Sequence, residues 1–385
     1  MTFRIAVFIG TRPEAIKLAP VVRALEKAEG LEPVVVCTGQ HQQMLQQVID
    51  LFAIPVHYHL DVMADNQSLA DLSARLLQKV DSFLAEENPD FALVQGDTTS
   101  ALTSALACFY RKVPVGHVEA GLRTGNLQSP FPEEANRKLV TTLADLHFPP
   151  TQWAADNLRA ERVGENRILI TGNTVIDALH LECAAQEHDS TKAEIDTALC
   201  GPLGADWREH TYVLVTGHRR ESFGDGFEQI CSALRILSER FPKVRFVYPV
   251  HLNPRVCGPV MDRLADLENI FLLEPLAYRP FVALMKHAKF VLTDSGGVQE
   301  EAPGLGKPVL VMRDHTERPE GVKAGTVRLV AADANKIIDG VSELLLDSNK
   351  YEKMSAPHNP YGDGKAAQRI VAALKTWFSS SDRSL

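Results

Sequence analysis

Short, nearly continuous apolar runs alternate along this chain with longer segments in which apolar residues recur every three or four positions. Runs of the first kind at 5–9, 33–38, 91–94 and 113–118 predict strands buried on both faces. The longer pattern predicts helices from Pro13 to about Lys27, from Gln42 to Phe52, from Leu69 to Glu87, up to Tyr110, and from Glu133 to about Ala144. Pro13 suits a first helical turn, where a missing N–H donor costs nothing. From about Ala184 to His210 the chain turns polar and acidic, with Gly201-Pro202 and Gly204 as breakers. The rhythm then restarts, with strands predicted at 212–216, 245–249, 270–273, 290–293 and 308–312. Apolar strands separated by helices indicate parallel sheets covered on both faces, so the expected class is α/β with two doubly wound Rossmann-like domains. The expected boundaries are 1–180 for the first domain, 181–207 for a linker and 208–365 for the second domain. The serine-rich tail at 379–384 is expected to be disordered.

Composition narrows the partners. The chain has 385 residues, 45% hydrophobic and 23% charged, which suits an ordinary globular protein of two or three domains. A net charge of −9 without a long basic run argues against nucleic acid and against an anionic membrane surface. No apolar stretch approaches the ~18 residues of a spanning helix, and the first residues read as a strand rather than a signal peptide. The 6 cysteines form no CxxC pair, as expected of reduced thiols in a cytoplasmic protein. There is no HExxH, no His pair at ligand spacing and no Asp-x-Asp, so no metal site is expected. Gly-x-Ser-x-Gly is also absent, which leaves a serine hydrolase unsupported.

In doubly wound sheets ligands gather at the carboxyl ends of the strands, and the polar residues concentrate there. Asp294-Ser295-Gly296-Gly297 follows a predicted strand and opens a helix. Glycines admit an oxyanion close to the backbone, and a helix N-terminus offers free donors, so this turn suits a phosphate. The blander alternative is a tight turn capped by Ser295. Glu301, one turn on, is placed to reach ribose hydroxyls. Arg12 and Lys17 stand at the start of the first helix, where they suit an anionic ligand or simply solvent. Asp97 and Glu119 end two further strands, and Glu133, Glu134 and Arg137 open a helix. Acidic residues in a first turn often do no more than offset the helix dipole. Several carboxylates from separate strand ends, however, are what proton transfer requires. His218 between Gly217 and Arg219 is placed to neutralise phosphate or to belong to a surface basic cluster. His251 ends the next strand.

Taken together, the segments GTRPEAIKLAP, GDTTS, GHVEAGLRTGNLQSPFPEEANR, ADLHFPPT, TGNTVIDAL, TGHRRE, YPVHLNP, LTDSGGVQEEAPGLGKPVLVMRD, TERPEG and NPYGDG resemble, in order, the motifs of the non-hydrolysing UDP-N-acetylglucosamine 2-epimerase family. The resemblance implies a GT-B type arrangement, with the two Rossmann-like domains facing a central cleft. It also implies that the C-terminal helix, 366–385, packs back on the first domain. The implied reaction converts UDP-N-acetylglucosamine (UDP-GlcNAc) to UDP-N-acetylmannosamine (UDP-ManNAc) by loss and re-addition of UDP through a 2-acetamidoglucal. No cofactor is implied. The product would supply ManNAc units for cell-surface polysaccharide. By resemblance, Asp97, Glu119, Glu133, His218 and Arg137 serve catalysis. Arg12, Lys17, Leu276, Phe281, Ser295, Gly296, Gly297, Glu301 and Arg318 bind UDP. An activating second UDP-GlcNAc would meet Gln40, Gln43, Gln67, Arg219 and His251, although Asn66 stands where the family commonly has an arginine. The implied assembly is a homodimer. Two alternatives stay open: a 2-epimerase of a modified UDP-GlcNAc derivative, and a GT-B UDP-sugar glycosyltransferase.

Overall fold

Each of two sheets is built on a central strand whose residues are almost all apolar. The computed structural model describes residues 2–39, 42–64, 67–219, 223–355 and 359–379, and of 42–44 the backbone alone. The expectations for Gln40 and for the tail beyond Ser379 lie outside the described residues, as does the side chain of Gln43. The chain divides into two units, Met1–Ala178 with Tyr361–Leu385, and Leu179–Pro360.

The first unit holds strands β1 (Phe3–Ile9), β2 (Leu31–Cys37), β3 (Val56–His59), β4 (Phe91–Gln95), β5 (Val115–Val118) and β6 (Leu146–Phe148). They pair in the order β3-β2-β1-β4-β5-β6, all parallel. Ala6 and Phe8 of β1, with Val34, Val36, Ala92 and Val94, pack in one core with Val80, Phe83, Ala101 and Ala105 of the helices Leu69–Glu87 and Thr99–Tyr110. Burying such side chains on both faces is what drives a parallel sheet to form. Helix Ala366–Ser379 belongs to this unit. Its Phe378 stacks on Phe3 with ring centres 3.9 Å apart, and Trp377 meets Phe91 edge-on at 5.7 Å.

The second unit repeats the plan. Strands β7 (Tyr212–Thr216), β8 (Arg245–Pro249), β9 (Ile270–Leu273), β10 (Phe290–Thr293), β11 (Val309–Val311) and β12 (Val327–Leu329) pair in the order β12-β11-β10-β7-β8-β9. Val213, Val215, Phe246, Phe290 and Leu292 share a core with Phe227, Ile230 and Leu234 of the helix Asp225–Arg240.

The segment 181–207 is not a loose connector. It forms the end of helix Thr174–Ala185 and the helix Asp189–Leu203, which buries Ile195, Leu199 and Leu203. Arg279 pairs with Glu182 at 3.0 Å, Lys286 pairs with Glu187 at 2.9 Å, and Trp207 is buried against His287. Its polar composition comes from the exposed helix faces and from residues used in ion pairs. Among the described residues no helix is long and apolar enough to cross a membrane.

The two sheets reverse strand order at equivalent places, between β1 and β4 in the first and between β7 and β10 in the second. Loops diverge there and leave a crevice at the carboxyl ends of the strands.

Asp177 supplies a first prediction. Its buried carboxylate accepts from the first amides of the last helix, Ala366 N at 3.2 Å and Ala367 N at 2.9 Å. Asp177→Ala leaves those donors unmet and is expected to lower stability by about 1–3 kcal/mol in urea unfolding, with Asp177→Asn recovering part of the loss. Equal unfolding midpoints for parent and alanine variant would remove this cap from the account.

Candidate active site

In the first unit the candidate residues lie on the turns after β1, β4 and β5. Arg12 is the first residue of helix Arg12–Glu26, and Lys17 lies further along that helix, buried. Glu119 follows β5 directly with φ +64°, in the left-handed region that costs a non-glycine residue roughly 1–2 kcal/mol. That conformation, with the Glu119 N–H bonded to Phe148 O at 3.1 Å, accompanies a buried ion pair between the Glu119 carboxylate and Lys17. Gln95, the last residue of β4, donates to the same carboxylate oxygen at 2.6 Å. Three neighbouring strands therefore converge on one carboxylate.

Asp97 is held as firmly. Arg137 Nε donates to its Oδ2 at 2.9 Å and Nη2 lies 2.6 Å from the same oxygen. Asn136 Nδ2 reaches Asp97 O at 2.8 Å. The residue before it, Gly96, has φ +71° and is fixed on both sides: its N–H donates to Val118 O at 3.0 Å, and His117 Nε2 donates to its carbonyl at 2.7 Å. Burial pushes the His117 imidazolium down to about 4 against that hydrogen bond, so the ring stays neutral at neutral pH.

The paired glutamates at 133 and 134 separate cleanly. Glu134 is fully buried and accepts from Thr124 N at 3.1 Å, Gly125 N at 3.0 Å and Arg137 Nη1 at 3.1 Å. It fastens the loop that precedes the helix Glu133–Leu143. Glu133 is half-buried, and its Oε2 is shielded from solvent without a hydrogen-bond partner. A carboxylate so placed is available for proton transfer, whereas Glu134 is committed to structure.

In the second unit the turns after β7 and β10 meet. Buried Asp294 Oδ2 accepts from the backbone N–H groups of His218 and Arg219, both at 2.8 Å, and Oδ1 lies 3.3 Å from His218 Nδ1. His251 stacks on His218 with ring centres 5.7 Å apart. Burial lowers the His218 value, Asp294 opposes that shift, and Arg219 and His251 reinforce it. The Arg219 Nε is buried without a partner. Ser295 stands at the N-cap position of the helix Gly296–Gly304, with no capping hydrogen bond from its side chain. A Cβ at Gly296 would sit 2.8 Å from Arg318 Nη1, so only glycine lets that guanidinium lie against the helix start. Arg318 is buried and bonded to Glu300 at 2.6 Å and to Glu317. Burial raises the Glu317 carboxyl, but Arg318 and Arg313 outweigh it and hold the group well below the usual range. Tyr278 donates to Glu301 at 2.8 Å, and Leu276 and Phe281 are half-buried beside and within the same helix, Tyr278–His287.

The structure thus joins Lys17 to Glu119 and Asp97 to Arg137, and separately gathers His218, Arg219 and His251, and Gly296 with Arg318. Gln67 stands in the first unit, donating to Met63 S at 3.1 Å. The residues that sequence reasoning passed over are Glu14, Gln95, Asp294 and Glu317. Asp294 was visible as the first polar residue after an apolar strand, and Gln95 as the polar end of β4. Among the described residues no group of three or more His, Cys, Asp or Glu is arranged to hold a metal ion.

Comparison with known proteins places this geometry. The family model described as UDP-N-acetylglucosamine 2-epimerase matches residues 23–375. The UDP-N-acetylglucosamine 2-epimerase of Escherichia coli K12 is 53% identical over 372 residues, covering 97% of this chain and 98% of its own. The crystal structure of UDP-GlcNAc 2-epimerase from Neisseria meningitidis bound to UDP-GlcNAc is 44% identical, with a TM-score of 0.92 over 97% of this chain and 100% of that one. The Methanocaldococcus jannaschii enzyme, solved in complex with UDP-GlcNAc and UDP, is 32% identical with a TM-score of 0.83, covering 97% of this chain and 100% of that one.

His117 carries a pH prediction. Its folded value of about 4 lies below the ordinary 6.5, so the unfolded chain takes up the proton first as pH falls. The contribution is complete above pH 6.5 and is lost as pH drops through the folded value, about 3 kcal/mol in all. His147, pushed down to about 3, acts in the same direction. His117→Gln keeps a donor for Gly96 O and is expected to lose less stability than the parent between pH 7 and pH 5. Parallel urea midpoints for the two proteins across that interval would show that His117 does not titrate this way.

Proposed function

This chain belongs to the UDP-N-acetylglucosamine 2-epimerase family and is an isomerase of that activity, and we propose that it interconverts UDP-GlcNAc and UDP-ManNAc by eliminating and re-adding UDP. The hydrogen on sugar carbon 2 is not adjacent to a carbonyl, so direct removal is prohibitively slow. Breaking the bond from carbon 1 to the diphosphate oxygen sends that electron pair to UDP and leaves oxocarbenium character that acidifies the neighbouring hydrogen. A carboxylate takes the proton and the carbon 1–carbon 2 double bond of 2-acetamidoglucal forms. Delivery of a proton to the opposite face of carbon 2, with return of UDP to carbon 1, gives the epimer.

Two faces require more than one acid–base group. Asp97, Glu119 and Glu133 are the carboxylates we assign to that work, with Arg137 holding Asp97. What carries the reading is Glu133, whose Oε2 is shielded yet unpartnered beside a Glu134 wholly taken up by structure. Lys17 holds Glu119 in place. For UDP we assign Arg12, Lys17, Leu276, Phe281, Ser295, Gly296, Gly297, Glu301 and Arg318, with His218 at the diphosphate. Donors prearranged around the leaving group stabilise the charge that develops there. Gln67, Arg219 and His251 are the described members of the set we assign to an activating nucleotide.

The deciding experiment is proton NMR of the purified protein with UDP-GlcNAc in heavy water. UDP-ManNAc carrying deuterium at carbon 2 is the expected result, whereas free ManNAc with UDP would replace epimerisation by hydrolysis. Glu119→Gln is expected to lower turnover on the order of 10²–10⁴-fold while UDP affinity in calorimetry stays within a few-fold. Unchanged turnover would remove Glu119 from the chemistry.

A further inference from the structure

Glu14 occupies the third helical position after Thr11 and is 2% exposed. A glutamate there ordinarily reaches back to the N-cap amide and satisfies one helix donor. This carboxylate does more. Its Oε2 accepts from Gly10 N at 2.7 Å, Thr11 N at 2.6 Å and the Thr11 hydroxyl at 3.1 Å. Its Oε1 accepts from the hydroxyl of Thr98 at 2.5 Å, 84 residues away in sequence. Thr98 is itself the cap of helix Thr99–Tyr110, accepting from Ala101 N at 3.0 Å. One side chain therefore ties the turn after β1 to the turn after β4, the pair between which strand order reverses.

The turn has little room to rearrange. A Cβ at Gly10 would lie 2.5 Å from Ser100 Oγ and 2.7 Å from Thr38 Oγ1, so the backbone there is enclosed by the ends of two neighbouring segments. Backbone N–H groups and hydroxyls converging at a helix start are the usual setting for a bound phosphate. Here a side chain of the protein fills that setting. The consequence travels along the helix, because Arg12 is its first residue and Lys17 stands one turn beyond Glu14.

We propose that Glu14 is a positioning residue for the epimerisation: a buried side-chain carboxyl, standing where a Rossmann sheet takes phosphate, that fixes the turn bearing Arg12 and the helix that sets Lys17 on Glu119. This deepens the function proposed above and rests on its assignment of Lys17 and Glu119 to the reacting site. Removal of water from around the carboxylate pushes its ionisation up to about 7, against the pull of Thr98, Gly10 and Thr11. Four donors thus surround a group that is costly to bury, which is the signature of a carboxylate kept for geometry rather than stability.

Glu14→Gln and Glu14→Ala test this on the full chain. Both are compared with the parent by thermal unfolding, by amide hydrogen exchange at Gly10 and Thr11, and by kcat and KM for UDP-GlcNAc. The glutamine variant is expected to fold, to lose protection at those amides, and to drop kcat by roughly ten- to a hundredfold with KM within about threefold. The alanine variant is expected to lose more of both. Unchanged exchange at Gly10 and Thr11 in folded Glu14→Gln overturns the clamp. Faster exchange with kcat unchanged, or a loss confined to KM, overturns the positioning role. A parent that does not epimerise UDP-GlcNAc would overturn the functional reading instead, and the exchange result would still decide the clamp.

Discussion

Everything at the carboxyl ends of these strands depends on how the chain closes the crevice where each sheet reverses its strand order. Two loops diverge there, and their backbone donors must be met by something other than a neighbouring strand. Both units meet them with a buried carboxylate. In the first, Glu14 reaches from the helix after β1 to Gly10, Thr11 and Thr98. In the second, Asp294 reaches from the end of β10 to the N–H groups of His218 and Arg219 after β7. The tie runs in opposite senses, and that difference has consequences. Glu14 occupies the start of its own helix and fills the place of an anion. Asp294 stands before its helix and leaves the start of Gly296–Gly304 lined by two glycines. We therefore propose the second unit for the diphosphate and the first for the carboxylate chemistry.

The charged groups around these turns are organised for geometry. Lys17–Glu119, Arg137 with Asp97 and Glu134, and Arg318 with Glu300 and Glu317 are all largely buried. Taking such pairs out of water costs about as much as their attraction returns, so they are poor sources of net stability. Their value lies in rigidity: each guanidinium or ammonium holds a carboxylate in one orientation. His117 follows the same rule without charge, since burial keeps it neutral while it pins Gly96 ahead of Asp97.

Much of this was legible in the sequence, for a physical reason. A central parallel strand is apolar on both faces, so β1, β7 and β10 announce themselves as unbroken apolar runs. Three of the four edge strands do not, β9 (Ile270–Leu273) being the one whose apolar run is plain. Val56–His59 alternates between half-buried and exposed, and Leu146–Phe148 and Val327–Leu329 span 3 residues each, too short for any period to register. The segment at 181–207 read as a linker because amphipathic helices fastened by ion pairs carry the composition of one. The strand-end motifs located the candidate residues, but division of labour within a motif was hidden. Glu133 and Glu134 are chemically identical neighbours, and only the fold shows that one is bonded to Thr124, Gly125 and Arg137 while the other keeps a shielded free oxygen. Glu14 was hidden in another way, since Thr-x-x-Glu at a helix start has an ordinary capping role and nothing local points to Thr98.

These features explain why a reaction of the proposed kind suits a chain with two copies of one fold. Epimerisation by elimination needs a rigid anion holder for the leaving group and, separately, carboxylates whose proton affinities are set by fixed neighbours. A single crevice that offered free helix donors beside exposed carboxylates would let the protein's own acids compete with the diphosphate for those donors. The first unit removes that competition by committing Glu14 to its helix start and Glu134 to its loop, which leaves Asp97 against Arg137, Glu119 against Lys17 and Gln95, and Glu133 with a shielded Oε2. The second unit commits Asp294 to backbone amides, Glu300 and Glu317 to Arg318, and Glu301 to the Tyr278 hydroxyl, so the acidic side chains near the glycine-lined helix start each have a fixed donor. Committing surplus carboxylates to fixed donors is thus as necessary to the site as supplying the reactive ones.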